Sequence, residues 1–274
     1  MRETPQRKLW INKLFKPLGA GANALDERPY WPRGRAERVD HMFLFLLTPP
    51  NSGSTEIAQH MVRRGDIGGL YHNFEGQRLI KGLMDTDRWW PEKFIDFEAV
   101  LGAWNGRIAE LDAEGRYSYW LEKSPPNLVR HKQLFGYFPQ HRAVVNNRAP
   151  MANVASQLRR YLIKEYHGAR RALVIRHLAR IWQWRSERLM AAARQSGYPC
   201  VTYERFCARP DAILEAFGLE PTIHSGEAAL EGIVNLNAEH AQLLSEHERG
   251  MVAEELSGAG EVLEFFGYDL NDEL

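Results

Sequence analysis

The sequence predicts an α/β protein with a mainly parallel central sheet and helices on both faces. Three observations predict it. The stretch from His41 to His60 begins as an apolar run, breaks into a Pro/Gly/Ser/Thr turn, and continues with helical spacing. The same order of strand, loop and helix recurs further along the chain. Each loop rich in polar groups follows a candidate strand, which is where ligands of such sheets bind.

The run Met42 to Leu47 is far shorter than the ~20 residues of a membrane span, so it reads as a buried strand. After the loop Pro50 to Thr55, residues Thr55 to Arg64 form a helix with Ile57, Met61 and Val62 on one side. Gly65 to Gly69 ends that helix, and Leu70 to Glu75 follows as a short strand or turn. Lys81 to Gly115 carries Trp89, Trp90 and Trp104 among charges, with an amphipathic helix over Asp96 to Leu111. This segment reads as a cap or substrate-facing insertion, whose tryptophans either stack on a sugar or aromatic acceptor or cover the core.

Tyr117 to Leu121 is a strand leading into Glu122 to Asn127, and Leu128 to Phe135 is helical, with a break at Pro139. Arg142 to Val145 is a third strand, running into Asn146 to Pro150 and a helix over Met151 to Leu162. A long helix spans Arg171 to Gln195, its arginines read as a solvated face. Cys200 to Tyr203 is a fourth strand, and Glu204 to Phe217 a short helix broken near Pro210. Residues 1–38, rich in Arg, Pro and Gly, form a lead-in to a single domain over 39–274.

Composition sets bounds on function. Across 274 residues, 35 basic and 35 acidic side chains cancel, so no global field recruits nucleic acid or an anionic membrane. The two cysteines, Cys200 and Cys207, make neither a disulfide framework nor a zinc site. With no secretory signal at the charged N-terminus, the expected location is the cytoplasm. No histidine has metal-ligand spacing, and none is needed for the chemistry expected below.

The loop Pro50-Asn51-Ser52-Gly53-Ser54-Thr55 opens a helix, where backbone N–H groups, hydroxyls and the positive end of the dipole suit a phosphate or sulfate. It lacks the Gly-Lys-Ser/Thr ending of a nucleotide triphosphatase, which argues against a small-molecule kinase. Ser54 or Thr55 could equally serve as an N-cap.

Four segments in order, Pro50 to Thr55, Glu122-Lys-Ser-Pro125, Arg148-Ala-Pro150 through Ser156, and Val201-Thr-Tyr-Glu204, resemble the sulfotransferase family. The resemblance covers about residues 42–216, or at its widest reaches Gly267-Tyr268, and implies a P-loop-like architecture and transfer of a sulfuryl group from 3′-phosphoadenosine-5′-phosphosulfate to a hydroxyl or amine, without a metal. It implies that Asn51, Ser52, Gly53, Ser54 and Thr55 wrap the 5′-phosphosulfate, and that Arg148, Ser156 and Arg160 hold the 3′-phosphate. A guanidinium fork and a hydroxyl match a phosphate dianion, whereas a surface Arg and a helix-facing Ser would need neither.

The resemblance further implies that Glu75 is the catalytic base and that Lys123 contacts the bridging oxygen, with Glu56 and His72 weaker candidates for the base. Tyr203 is placed near the nucleotide, although a strand tyrosine also suits a core. Two positions depart from the family pattern: Asn51 replaces a Lys or Arg, and Ala149 replaces an Asp. The first leaves open a catalytically impaired nucleotide-binding relative, because an amide cannot neutralise the leaving phosphate. The acceptor, a small molecule, carbohydrate or lipid, and the oligomeric state are not specified by these residues.

Overall fold

A computed structural model describes residues 41–85, 87–160, 167–221 and 233–270, so the lead-in expected over 1–38 lies outside the described residues. Strand β1 (Met42–Leu47) has the near-continuous apolar sequence that a strand buried on both faces requires. It pairs in parallel with β3 (Tyr119–Glu122) on one side and β4 (His141–Val145) on the other, while β2 (Ile67–Gly69) pairs in parallel with β3. The order β2-β3-β1-β4 means that the chain moves outward to β2, returns to β3, and then crosses β1 to reach β4. Connections therefore diverge at the C-terminal end of β1, the switch point at which such sheets bind ligands.

The α-helices among the described residues are α1 (Ser54–Val62), α2 (Phe97–Leu111), α3 (His131–Tyr137), α4 (Pro150–Arg160), α5 (Gly168–Ser196), α6 (Tyr203–Ala208), α7 (Ala212–Ala216), α8 (Asn237–Ala241), α9 (Glu246–Glu255) and α10 (Gly260–Phe266). Alternation along β1 divides them between two layers. Leu44 and Leu46 pack with Ile57, Ala58 and Met61 of α1 and with Phe206 and Ile213 of α6 and α7. Phe43, Phe45 and Leu47 join the larger core with α2 to α5, α9 and α10.

Several boundaries differ from the sequence reading for physical reasons. The edge strand is Ile67–Gly69, inside the stretch that looked like a helix terminator, and Leu70 to Glu75 is a turn. Its glycines are steric: a Cβ on Gly68 would lie 2.8 Å from the Trp120 ring, and one on Gly69 2.5 Å from the Phe74 ring. Trp104, half of whose expected role was to face an acceptor, is fully buried among Phe43, Phe45 and Phe138, and its Nε1 donates to the Gly76 carbonyl at 3.0 Å. Beyond β4 the described residues show a single parallel bridge, Val145 to Cys200, where a whole fourth strand was expected, because the chain turns into α6 at Tyr203.

The arginines of α5 are not simply solvated. Arg171, Arg176 and Arg180 pair with Glu248, Glu254 and Glu255 of α9, and Arg194 pairs with Glu261 of α10. Helix α9 is itself fixed at its start by a reciprocal capping box between Ser245 and Glu248. Charge complementarity thus lays the C-terminal helices along α5, a partnership that periodicity within α5 alone cannot reveal.

Candidate functional site

The loop after β1 is held from behind. Asn153, one turn into α4, donates through Nδ2 to the carbonyls of Pro50 and Asn51 at 3.0 and 3.2 Å and to Ser52 Oγ at 3.1 Å, and Gln157 donates to Asn153 Oδ1 at 2.7 Å. Two residues of the loop have left-handed backbones, Asn51 at φ 62° and Gly53 at φ 72°. Asparagine tolerates that region better than longer side chains, which accounts locally for Asn51. At Gly53 a side chain has no room: a Cβ would sit 2.1 Å from the Tyr203 ring.

Gly53 is the N-cap of α1, and no side chain caps the helix. Ser54 and Thr55 therefore do not act as the N-cap. The first amides of α1 lack intrahelical acceptors and have the positive end of the helix dipole behind them. Asn51 Nδ2, also here, is buried without a partner among the described residues.

On one side of this helix start lies Lys123, at the end of β3. Its Nζ donates to Thr55 Oγ1 at 2.8 Å and stands 3.7 Å from Glu75 Oε1. Only 3% of Lys123 is exposed. Burial lowers its pKa from the ordinary lysine value, opposed by the nearby carboxylates of Glu75 and Glu122. Glu75 also pairs with Arg78 through its other oxygen, so its carboxylate is held between two cations.

The segment carrying Glu75 is fixed by a residue the sequence reading passed over. Glu122 is fully buried and accepts hydrogen bonds from the amides of Gly76 at 2.6 Å and Ser124 at 2.7 Å and from Asn127 Nδ2 at 3.0 Å. Burial pushes its pKa up to about 7 against those hydrogen bonds. Glu122 thus clamps the end of β3 to the turn bearing Glu75. The weaker base candidates lie elsewhere: Glu56 accepts from the Tyr203 hydroxyl at 3.1 Å, and His72 is exposed beside Tyr71.

On the other side is Arg148, beyond the end of β4 and 4% exposed. Its guanidinium stacks over the Tyr203 ring, 4.5 Å from the centroid. Its nitrogens reach Asn237 Oδ1 at 2.7 Å, the Asn51 carbonyl at 3.3 Å and His240 Nδ1 at 2.9 Å. All three are neutral partners, and among the described residues no carboxylate pairs with it. Burial lowers its pKa from the ordinary guanidinium value. Arg160 Nη1 comes within 3.4 Å of Asn51 Oδ1, and Ser156 lies one turn earlier on α4, partly buried.

The predicted residues therefore fall into three linked groups: Lys123 with Thr55 and Glu75, Tyr203 with Gly53 and Arg148, and Arg160 with Asn51. Ser156 shares their helix without joining these hydrogen bonds. Asn153, Glu122, Asn237 and His240 were missed. Asn153 and Gln157 had a signal, two amides four residues apart on the helix carrying Ser156; Asn237 and His240 come from a segment with no motif.

No family model and no curated protein matches the sequence. Solved structures do. A sulfotransferase from Alicyclobacillus acidocaldarius, 12% identical, superposes over 86% of this chain and 99% of that one with a TM-score of 0.52. The sulfotransferase domain of an olefin synthase from Synechococcus PCC 7002 is 19% identical over 88% of this chain and 99% of that one, at a TM-score of 0.44. A sulfotransferase domain from the curacin biosynthetic pathway is 13% identical over 85% and 99%, at 0.48. At these identities the likeness is one of architecture, and the Alicyclobacillus structure carries it: this chain has a sulfotransferase-like fold.

Proposed function

We propose that the protein is a sulfotransferase that takes its sulfuryl group from 3′-phosphoadenosine-5′-phosphosulfate and delivers it to a hydroxyl or amine of a small-molecule, carbohydrate or lipid acceptor in a reducing compartment. The observation that carries the reading is the α1 N-terminus between two buried cations, Lys123 with a carboxylate beside it and Arg148 with only neutral partners among the described residues. Donors exceed acceptors there, and the excess fits a ligand with phosphate at both ends. The orphaned Asn51 Nδ2 points the same way.

In this reading the amides and hydroxyls of Ser52 to Thr55 hold the 5′-phosphosulfate, while Arg148, Ser156 and Arg160 hold the 3′-phosphate. The nucleotide supplies a sulfuryl group on a good leaving oxygen. Glu75 takes the proton of the acceptor as its oxygen or nitrogen bonds to sulfur, and Lys123 offsets charge on the phosphate oxygen whose bond to sulfur breaks. Asn51 supplies a hydrogen-bond donor but no charge, so Lys123 and the helix amides carry the stabilisation. That neutral residue also favours a second reading, a relative that binds the nucleotide without turning it over.

Sulfate transfer across an acceptor panel separates the two. Glu75→Gln is expected to lower turnover about 100-fold or more while nucleotide affinity changes little, because the amide keeps the shape and cannot accept the proton. Tight nucleotide binding with no transfer to any acceptor selects the second reading. Unchanged turnover in Glu75→Gln removes Glu75 as the base.

A further inference from the structure

His240 lies between two guanidinium groups. Arg148 Nη2 is 2.9 Å from its Nδ1, and Arg159 Nη1 is 3.3 Å from its Nε2. A guanidinium only donates, and a neutral imidazole has one acceptor nitrogen. Whichever tautomer is present, one ring N–H faces another N–H. His240 as a residue is 7% exposed, which leaves little water to relieve that mismatch.

The charged groups around it are few. Arg148 approaches from the turn after β4 and Arg159 from α4. Glu239, on the imidazole's own helix, is mostly exposed and stands 3.5 Å from Arg159. Glu204 accepts from Asn237 and from the Ala149 amide, which ties α8 to the base of Arg148. Burial, and then the two guanidinium groups, hold the His240 pKa below the ordinary 6.5. Two cations and an imidazole thus converge with the solvated Glu239 carboxylate beside Arg159 and His240, while Glu204 and Glu56 act on Arg148 without pairing with it. A dianion entering between them would accept from both arginines and make the imidazolium the favoured form.

We propose that His240 and Arg159 complete the 3′-phosphate end of the nucleotide site, with His240 binding as the imidazolium, so that recognition of a 3′-phosphorylated nucleotide is accompanied by proton uptake. The inference rests on the nucleotide reading above and adds to it the groups that discriminate for the 3′-phosphate. The proton comes from solvent to the ring nitrogen that lacks one, and no covalent bond changes. The phosphate's own second ionisation, near pH 6, acts in the opposite sense and must be separated.

The test is calorimetric titration of the full chain with 3′-phosphoadenosine-5′-phosphate and with adenosine 5′-phosphosulfate, which lacks the 3′-phosphate, at pH 6.5 and 8 in buffers of different protonation enthalpy. Relative to His240→Asn, the unaltered protein is expected to gain about threefold in affinity for the first ligand on going from pH 8 to 6.5, with net uptake of about half a proton at pH 6.5, and nothing for the second. As a readout independent of the variant's folding, the His240 C2–H resonance is expected to move its titration midpoint up by about one pH unit when the 3′-phosphorylated ligand is added. Arg148-dependent binding with identical pH dependence in His240→Asn and a stationary His240 midpoint would overturn the inference and leave the nucleotide reading intact. Failure of the unaltered protein to bind the 3′-phosphorylated ligand overturns both.

Discussion

The contact between Gly53 and Tyr203 can be tested against an internal control. Gly53 and Gly65 both have left-handed backbones, at φ 72° and 90°, but a Cβ on Gly65 meets nothing within 4 Å whereas one on Gly53 lies 2.1 and 2.3 Å from two atoms of the Tyr203 ring. Gly65→Ala is therefore expected to cost backbone strain alone, about 1 kcal/mol. Gly53→Ala adds overpacking against a ring that is 2% exposed and sandwiched beneath Arg148, so the ring cannot swing aside freely; this contributes roughly a further 1–3 kcal/mol. Urea denaturation of the two variants measures the difference directly. Because Tyr203 supports Arg148, Gly53→Ala is also expected to weaken binding of 3′-phosphoadenosine-5′-phosphate, whereas Gly65→Ala leaves it unchanged. Equal stabilities and equal affinities for the two variants would refute the packing of the loop against Tyr203.

Two further outcomes follow from the site. Glu122 ionises near 4.5 in an unfolded chain and about 7 in the fold, so between those values the folded protein keeps a proton the unfolded chain has released; its contribution to stability falls as pH rises through that window, by about 3 kcal/mol in all. Denaturation midpoints at pH 5 and 7.5 are expected to show this loss in the unaltered protein and a flatter profile in Glu122→Gln, and equal profiles would remove Glu122 as the source. Asn51→Arg is expected to destabilise the fold by about 1 kcal/mol, because arginine must adopt φ 62°, yet to tighten the nucleotide complex by adding a cation to the anion site; calorimetry showing no tightening would place the 5′-phosphate elsewhere.

The centre of the fold was legible because its signals are local. The apolar run of β1, the turn at Pro50 to Gly53 and the spacing of Ile57 and Met61 each follow from neighbouring residues, and Lys123 stands directly after β3 and Arg148 three residues after the end of β4. What escaped depends on partners distant in sequence. Gly68 and Gly69 read as a helix stop, yet they are glycine because the Trp120 and Phe74 rings lie over them. The arginines of α5 looked solvated because Glu248, Glu254 and Glu255 are more than fifty residues away. Trp104 could not be told from a substrate platform until Gly76 and Phe138 were beside it. Glu122 shows no sign in the sequence of being buried, and His240 belongs to a short helix with no motif; both owe their place at the site to the way distant segments converge on the end of β1.

Arg148, the buried cation assigned to the 3′-phosphate, is the residue on which recognition of the nucleotide most directly depends. Binding of 3′-phosphoadenosine-5′-phosphate and of adenosine 5′-phosphosulfate is measured by calorimetry for the unaltered protein and for Arg148→Ala. Loss of a charge-assisted contact is expected to weaken the first ligand by about 2 kcal/mol or more and the second much less. Equal losses for both ligands, or no binding of either by the unaltered protein, would contradict the assignment.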